Sequence, residues 1–145
     1  MRVLLDTCVV SEIRHPQGAL EVKAAVAALP DEDTFLSVVT LGELASGVAR
    51  LPHSRRRREL AEWLERLQTR FADRILPIVS TTARLWGELD ALARHAGRPA
   101  SASDGLIAAT AREHGLNVMT RNVDHFLALG ALVVNPWNED DGTTA

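Results

Sequence analysis

Short apolar or β-branched runs alternate along this chain with longer stretches in which apolar residues recur every three or four positions. The short runs, at residues 2–6 (RVLLD), 34–38 (TFLSV), 74–79 (RILPIV), 117–120 (NVMT) and 131–134 (ALVV), read as strands. The longer stretches read as helices: an alanine-rich segment at 19–29, amphipathic segments at 41–51 and 59–71, and one at 82–95 that stops just before Gly97, a residue suited to a helix C-terminus. A further helix runs to Gly115 from a cap at Ser103 or Asp104, and a short one enters Phe126. Strands that alternate with helices pair in parallel and carry helices on both faces. The expected fold class is therefore α/β, with a parallel central sheet of about five strands in an α/β/α arrangement.

Length and composition fit one globular domain. The chain has 145 residues, 46% of them hydrophobic and 24% charged. A domain of that size buries roughly 68 to 70% of the surface its unfolded chain exposes, enough for a true core. No segment approaches the roughly 18 uninterrupted apolar residues of a membrane span. The N-terminal MRVLLDTCVVSEIRH resembles a signal peptide only briefly, because Asp6 and Glu12 interrupt it and no small-residue cleavage site follows. It reads as a buried strand of a cytoplasmic protein. Cys8, the single cysteine, excludes an internal disulfide and agrees with a reducing compartment. The domain is expected to span 1–137, with the acidic stretch 138–145 a candidate disordered tail.

Four acids stand out against this background. Asp6, Glu43, Asp104 and Asp124 each follow a strand-like run or lie on the helix after one. In an open α/β sheet, ligands gather outside the carboxyl ends of the strands, so acids distant in sequence converge there. Each has an ordinary alternative: Asp6 as a turn residue, Glu43 on a solvated helix face, Asp104 and Asp124 as helix caps. Together they favour shared chemistry. Two carboxylates about 5 Å apart repel by roughly 3 kcal/mol at an effective dielectric near 20, so four require a compensating cation. An all-oxygen set selects Mg²⁺ or Mn²⁺. Open positions on such a cation would take water and a phosphate oxygen, the requirement for hydrolysing a phosphodiester. Thr7, Thr120 and Asn122 are placed to orient the acids through hydrogen bonds, or else are ordinary turn residues.

Charge complicates the choice of substrate. The net charge of −3 argues against a nucleic-acid partner, yet setting the four acids aside turns the balance to +1. All basic residues except Lys23 are arginine, the side chain best suited to bidentate phosphate contacts. The run Arg55 to Arg58 points around a helix, and its spacing to Glu59 and Glu62 favours solvated ion pairs over an RNA track. Trp63 and Trp86 fit packing positions, and Trp137 a C-terminal anchor.

The segments LLDTCVVSE (4–12), Gly42-Glu43, SASDGLIAATAREHGL (101–116), TRNVDHF (120–126) and NPW (135–137) resemble the PIN-domain family, in its VapC and FitB toxin-like branch of type II toxin–antitoxin systems. The resemblance covers nearly the whole chain. It implies an α/β/α domain, an Mg²⁺- or Mn²⁺-dependent endoribonuclease acting on RNA, and inhibition by a small cognate antitoxin, as a homodimer or a toxin–antitoxin hetero-oligomer. It implies Asp6 and Asp104 as principal metal ligands, Glu43 and Asp124 as the remaining acids, and Thr7 and Asn122 as accessory residues. Cys8 departs from the pattern, since relatives commonly carry asparagine there. Nothing in the sequence identifies a base that would make Cys8 a nucleophile. An aspartyl-phosphate phosphatase needs a second acid at the position of Cys8, and a receiver domain needs paired acids there, so both are disfavoured. A PIN-fold module that binds antitoxin or RNA without cleavage is the non-enzymatic alternative.

Overall fold

The structure, a computed structural model, describes residues 1–137. The proposed tail at 138–145 lies outside the described residues. Five strands form one wholly parallel sheet: β1 (Val3–Leu5), β2 (Thr34–Ser37), β3 (Ile75–Leu76), β4 (Asn117–Met119) and β5 (Val133–Val134), in the spatial order β3-β2-β1-β4-β5. Seven helices surround it: α1 (Thr7–Arg14), α2 (Leu20–Ala27), α3 (Val38–Ala49), α4 (Arg55–Arg70), α5 (Ser80–His95), α6 (Ala102–His114) and α7 (Val123–Ala128). The α/β class, the parallel pairing and the number of strands agree with the sequence.

Alternation along each strand builds two cores. Val3 and Leu5 point to one face and Leu4 to the other, all with no solvent exposure. Val3, Leu5, Leu36 and Met119 pack with Val9, Val10, Val22, Leu67 and Phe71 from α1, α2 and the end of α4. Leu4 and Val118 pack on the opposite side with Leu89, Ala93, Ile107 and Phe126 from α5, α6 and α7. Burial on both faces explains why these strands are continuous apolar runs, where a half-exposed strand would alternate. Trp63 and Trp137 lie partly buried against the first core, and Trp86 against the second.

Several boundaries differ from the sequence expectation for identifiable reasons. The strand at 2–6 is shorter, and the segment after it, read as buried strand, is helix α1. Asp6 caps that helix through its side chain, and the amides of Val9 and Val10 bond to its carbonyl, so a local cap overrides the β-preference of two valines. The run at 74–79 yields only Ile75–Leu76, because Pro77 has no amide to continue a ladder. Helix α4 starts at Arg55 instead of residue 59, capped by Ser54, whose hydroxyl accepts from the Arg57 amide at 3.2 Å. Of the two ion pairs expected there, Arg55–Glu59 forms at 3.0 Å. Helix α6 is capped by Ser101, not by Ser103 or Asp104. Gly115 closes it in the left-handed conformation, φ 67°, which L side chains adopt poorly.

The contact between α5 and α6 depends on one missing side chain. A Cβ on Gly105 would stand 2.5 Å from Cδ1 and 2.6 Å from Nε1 of Trp86. Gly105→Ala should therefore lower stability by about 1–3 kcal/mol, as for other overpacked cores, read as a fall in the denaturation midpoint with an unchanged slope. A variant as stable as the wild type would show that this contact is loose.

Candidate active site

The sheet order sets the location. β1 is flanked by β2 on one side and β4 on the other, so the chain changes direction across the sheet at β1, and the crevice outside its carboxyl end is where such folds take ligands. Asp6 is the first residue beyond β1, and its amide extends the ladder to the Met119 carbonyl at 3.0 Å. It is 4% exposed. Its Oδ1 accepts from the Thr7 amide at 2.8 Å, and its Oδ2 accepts from the Thr120 hydroxyl at 2.8 Å. Thr120 reaches it because Leu5 and Met119 are register partners, which puts the residue after β4 beside the residue after β1. The Thr120 oxygen in turn accepts from the Asn122 amide at 3.0 Å. Thus Asn122 takes part through its backbone.

A second chain of contacts ties in α3. The Thr7 hydroxyl donates to Glu43 Oε1 at 2.7 Å, and its oxygen lies 3.3 Å from the hydroxyl of Thr40, a fully buried residue one turn before Glu43. Glu43 is itself on the exposed side of α3. With a single hydrogen, the Thr7 hydroxyl can donate to only one of the two at a time, and the contact to Glu43 is the shorter. Thr40 was not evident in the sequence as a site residue, although it stands three positions before Glu43 on one helix face.

Asp104 arrives from the opposite direction, on the first turn of α6. The Ser101 hydroxyl accepts from its amide at 3.1 Å, and the spacing Ser-x-x-Asp is the sequence signal that locates this cap. Its carboxyl is pushed above the usual 3.8 by partial burial, then by the charges of Asp6 and Glu43, while His125 and the Ser101 hydrogen bond oppose the rise. His125 Nδ1 lies 3.8 Å from Asp104 Oδ2. The charges of two acids from separate segments thus bear on Asp104.

Asp124 is placed differently. It is exposed on α7 and lines a cleft with Arg98, Pro99 and His125. Among the described residues it makes no printed contact with the other three acids. Nor, among the described residues, do any three His, Cys, Asp or Glu side chains already stand as a ligand set around one point. The donor chemistry nevertheless suits a hard divalent cation: carboxylate oxygens with unrelieved like-charge repulsion, and no competing nitrogen or sulfur in a complete set. Cys8 is half-buried, with its sulfur 3.5 Å from Asp6 Oδ2 and 3.6 Å from the Thr120 oxygen. Burial raises its pKa first and Asp6 raises it further, against a backbone hydrogen bond at Arg121, so it stays a thiol. At the position where the sequence departs from the family pattern, the Cys8 thiol is a weak donor to Asp6 Oδ2.

Known proteins share this framework. The chain is 40% identical over 138 residues to Toxin FitB of Neisseria gonorrhoeae, covering 94% of this chain and 99% of that protein. It is 36% identical over 136 residues to VapC ribonuclease Y4jK of Sinorhizobium fredii, covering 93% and 97%. The crystal structure of FitAcB from Neisseria gonorrhoeae superposes with a TM-score of 0.89 at 40% identity, covering 94% of this chain and 99% of that one. The PIN domain pattern itself matches residues 3–131, and with that span the chain belongs to the PIN domain family.

Proposed function

We propose that this protein is a metal-dependent endoribonuclease, the toxin of a toxin–antitoxin pair, which hydrolyses RNA phosphodiester bonds at its acidic site. The observation that carries the reading is the placement of Asp6 at the end of β1, Glu43 on α3 and Asp104 at the start of α6, with Thr7 bonded through its amide to Asp6 and through its hydroxyl to Glu43. The likeness to a protein named a toxin and to one named a VapC ribonuclease supports it. A cognate antitoxin would hold the toxin inactive, with assembly as a homodimer or a hetero-oligomer, and RNA would be met in the cytoplasm. No helix among the described residues is long and apolar enough to cross a membrane.

In this reading Asp6, Asp104 and Glu43 would hold Mg²⁺ or Mn²⁺, with Asp124 as the fourth acid, bordering the site through its neighbour His125. When bound, such a cation offsets charge on a phosphate oxygen and acidifies a water. The chain's own residues fix where that happens. Thr120 and the Thr7 amide hold both oxygens of Asp6, so its orientation is set before any ligand arrives. Thr7 occupies Glu43 Oε1 and leaves Oε2 to face a ligand or accept a proton from water. A binding module without catalysis would share the fold, and the two readings separate on one substitution.

Cleavage of total RNA by the purified, antitoxin-free protein is expected with Mg²⁺ or Mn²⁺ and not with EDTA. Asp6→Asn should abolish it while preserving the fold, because asparagine caps a helix as well as aspartate does. Asp124→Asn should lower activity less, given its peripheral position. Cutting by Asp6→Asn at the wild-type rate would overturn the mechanism. Magnesium at a hundredfold excess over its Kd should stabilise the protein by about 2.7 kcal/mol, on the order of 10 °C in Tm for a domain of this size. An unmoved Tm at millimolar metal would contradict the site.

Asp104 gives a prediction of opposite sign. Its folded pKa lies above 3.8, so ionising it destabilises the metal-free fold. That loss is absent at pH well below 3.8, grows as pH rises through the folded pKa, and is complete at neutral pH. In EDTA at pH 7, Asp104→Asn should therefore melt above the wild type, the gain shrinking as pH falls toward 4. A lower Tm at pH 7 would show that Asp104 is a structural partner instead of a repelled acid.

A further inference from the structure

Asp104 sits on the first turn of α6, the part of a helix least restrained by its own ladder, because the leading amides have no intrahelical carbonyl to reach. One restraint on that turn is Ser101, which accepts the Asp104 amide on its hydroxyl at 3.1 Å and the Gly105 amide on its carbonyl at 3.0 Å. Another is Trp86 of α5. Its ring lies so close to the α-carbon of Gly105 that a Cβ there would meet Cδ1 at 2.5 Å and Nε1 at 2.6 Å. Gly105 is buried, and Ala100, in the loop that leads into α6, packs on the same core as Trp86.

This contact is not the one that stability alone would select. Trp86 Nε1 is buried and, among the described residues, has no hydrogen-bond partner. A buried donor without an acceptor lowers stability, a loss that a phenyl ring would avoid. What the indole adds is an edge seated directly on backbone. The peptide joining Asp104 to Gly105 is planar and spans about 3.8 Å between α-carbons, so a Gly105 that cannot shift holds the Asp104 α-carbon as well. Carboxylates that share a cation must be held to within about 0.5 Å, a precision that a fraying first turn does not reach unaided.

Resting on the metal-dependent reading above, we propose that Trp86 is a positioning residue for Asp104: its indole, pressed on Gly105, fixes the first turn of α6 and so sets where the Asp104 carboxylate meets a divalent cation. Trp86 touches neither the cation nor the substrate. Its replacement leaves the fold in place and weakens metal binding.

The test is Mn²⁺ binding by the antitoxin-free protein, read from the paramagnetic resonance signal of free Mn²⁺, beside thermal melts of the same variants in EDTA. Trp86→Phe keeps an aromatic ring in the core and is expected to bind Mn²⁺ about tenfold more weakly, as for other residues that orient metal ligands. Gly105→Ala presses on the same contact from α6 and should weaken binding to a similar degree. The two together should cost less than the sum of their separate losses, because the smaller ring relieves the clash. Leu89→Ala, on the same helix and in the same core, should lower Tm at least as far and leave Mn²⁺ affinity unchanged. In an Asp104→Asn background, Trp86→Phe should weaken Mn²⁺ binding no further. Wild-type affinity in both Trp86→Phe and Gly105→Ala would overturn the proposal. An equal loss of affinity in Leu89→Ala would reduce the effect to stability and overturn it too, as would a full further loss in the Asp104→Asn background. Each of these results leaves the metal-dependent reading standing. A wild type that binds no Mn²⁺ would overturn that reading, and the proposal with it.

Discussion

Parallel pairing of β1 with β2 and β4 forces acids from distant segments toward one crevice, where they repel. Asp6 leaves β1, Glu43 is carried by the helix that follows β2, and Asp104 by the helix that precedes β4. Partial burial raises the Asp104 carboxyl first, and the charges of Asp6 and Glu43 raise it further. A fold that only had to be stable would not keep three acids there, since like charges and desolvation both work against it. What holds the arrangement is a set of hydrogen bonds from neutral donors: Thr120 and the Thr7 amide to Asp6, and the Thr7 hydroxyl to Glu43. Each is anchored in a buried or half-buried threonine at a strand or helix end. The repulsion is therefore stored by two cores that lie away from it, one on each face of the sheet.

That division explains which features could be read from the sequence. The continuous apolar runs gave the parallel sheet because burial on both faces leaves no alternation to mistake. Asp6 was legible because a charged residue directly after such a run breaks the pattern. Helix α1 was not, because Val9 and Val10 favour strand and the deciding contact is a single cap from Asp6. Thr40 and the clash that reserves Gly105 for Trp86 depend on which helices meet, and no local pattern carries that information. Asp124 shows the converse limit. Its position after a strand resembled that of the others, yet one helical turn on α7 directs it to a neighbouring cleft.

The charge balance of the whole chain is equally misleading until it is divided by place. Its acids include those concentrated at the crevice, while Arg55, Arg70 and Arg94 on the surface are matched by carboxylates. In the nuclease reading, a net charge of −3 is compatible with an anionic substrate, because a bound cation would first offset the crevice acids. Metal binding and substrate binding would then be two stages of the same electrostatic compensation.

The measurement that reaches this account most directly is anomalous diffraction from crystals of the protein soaked with Mn²⁺. The account predicts a strong anomalous peak between the carboxylates of Asp6 and Asp104, with Glu43 turned toward it, and with Mn–O distances of roughly 2.0–2.3 Å. An absence of any peak at the crevice with Mn²⁺ at saturating concentration, or a peak held by other residues alone, would contradict it.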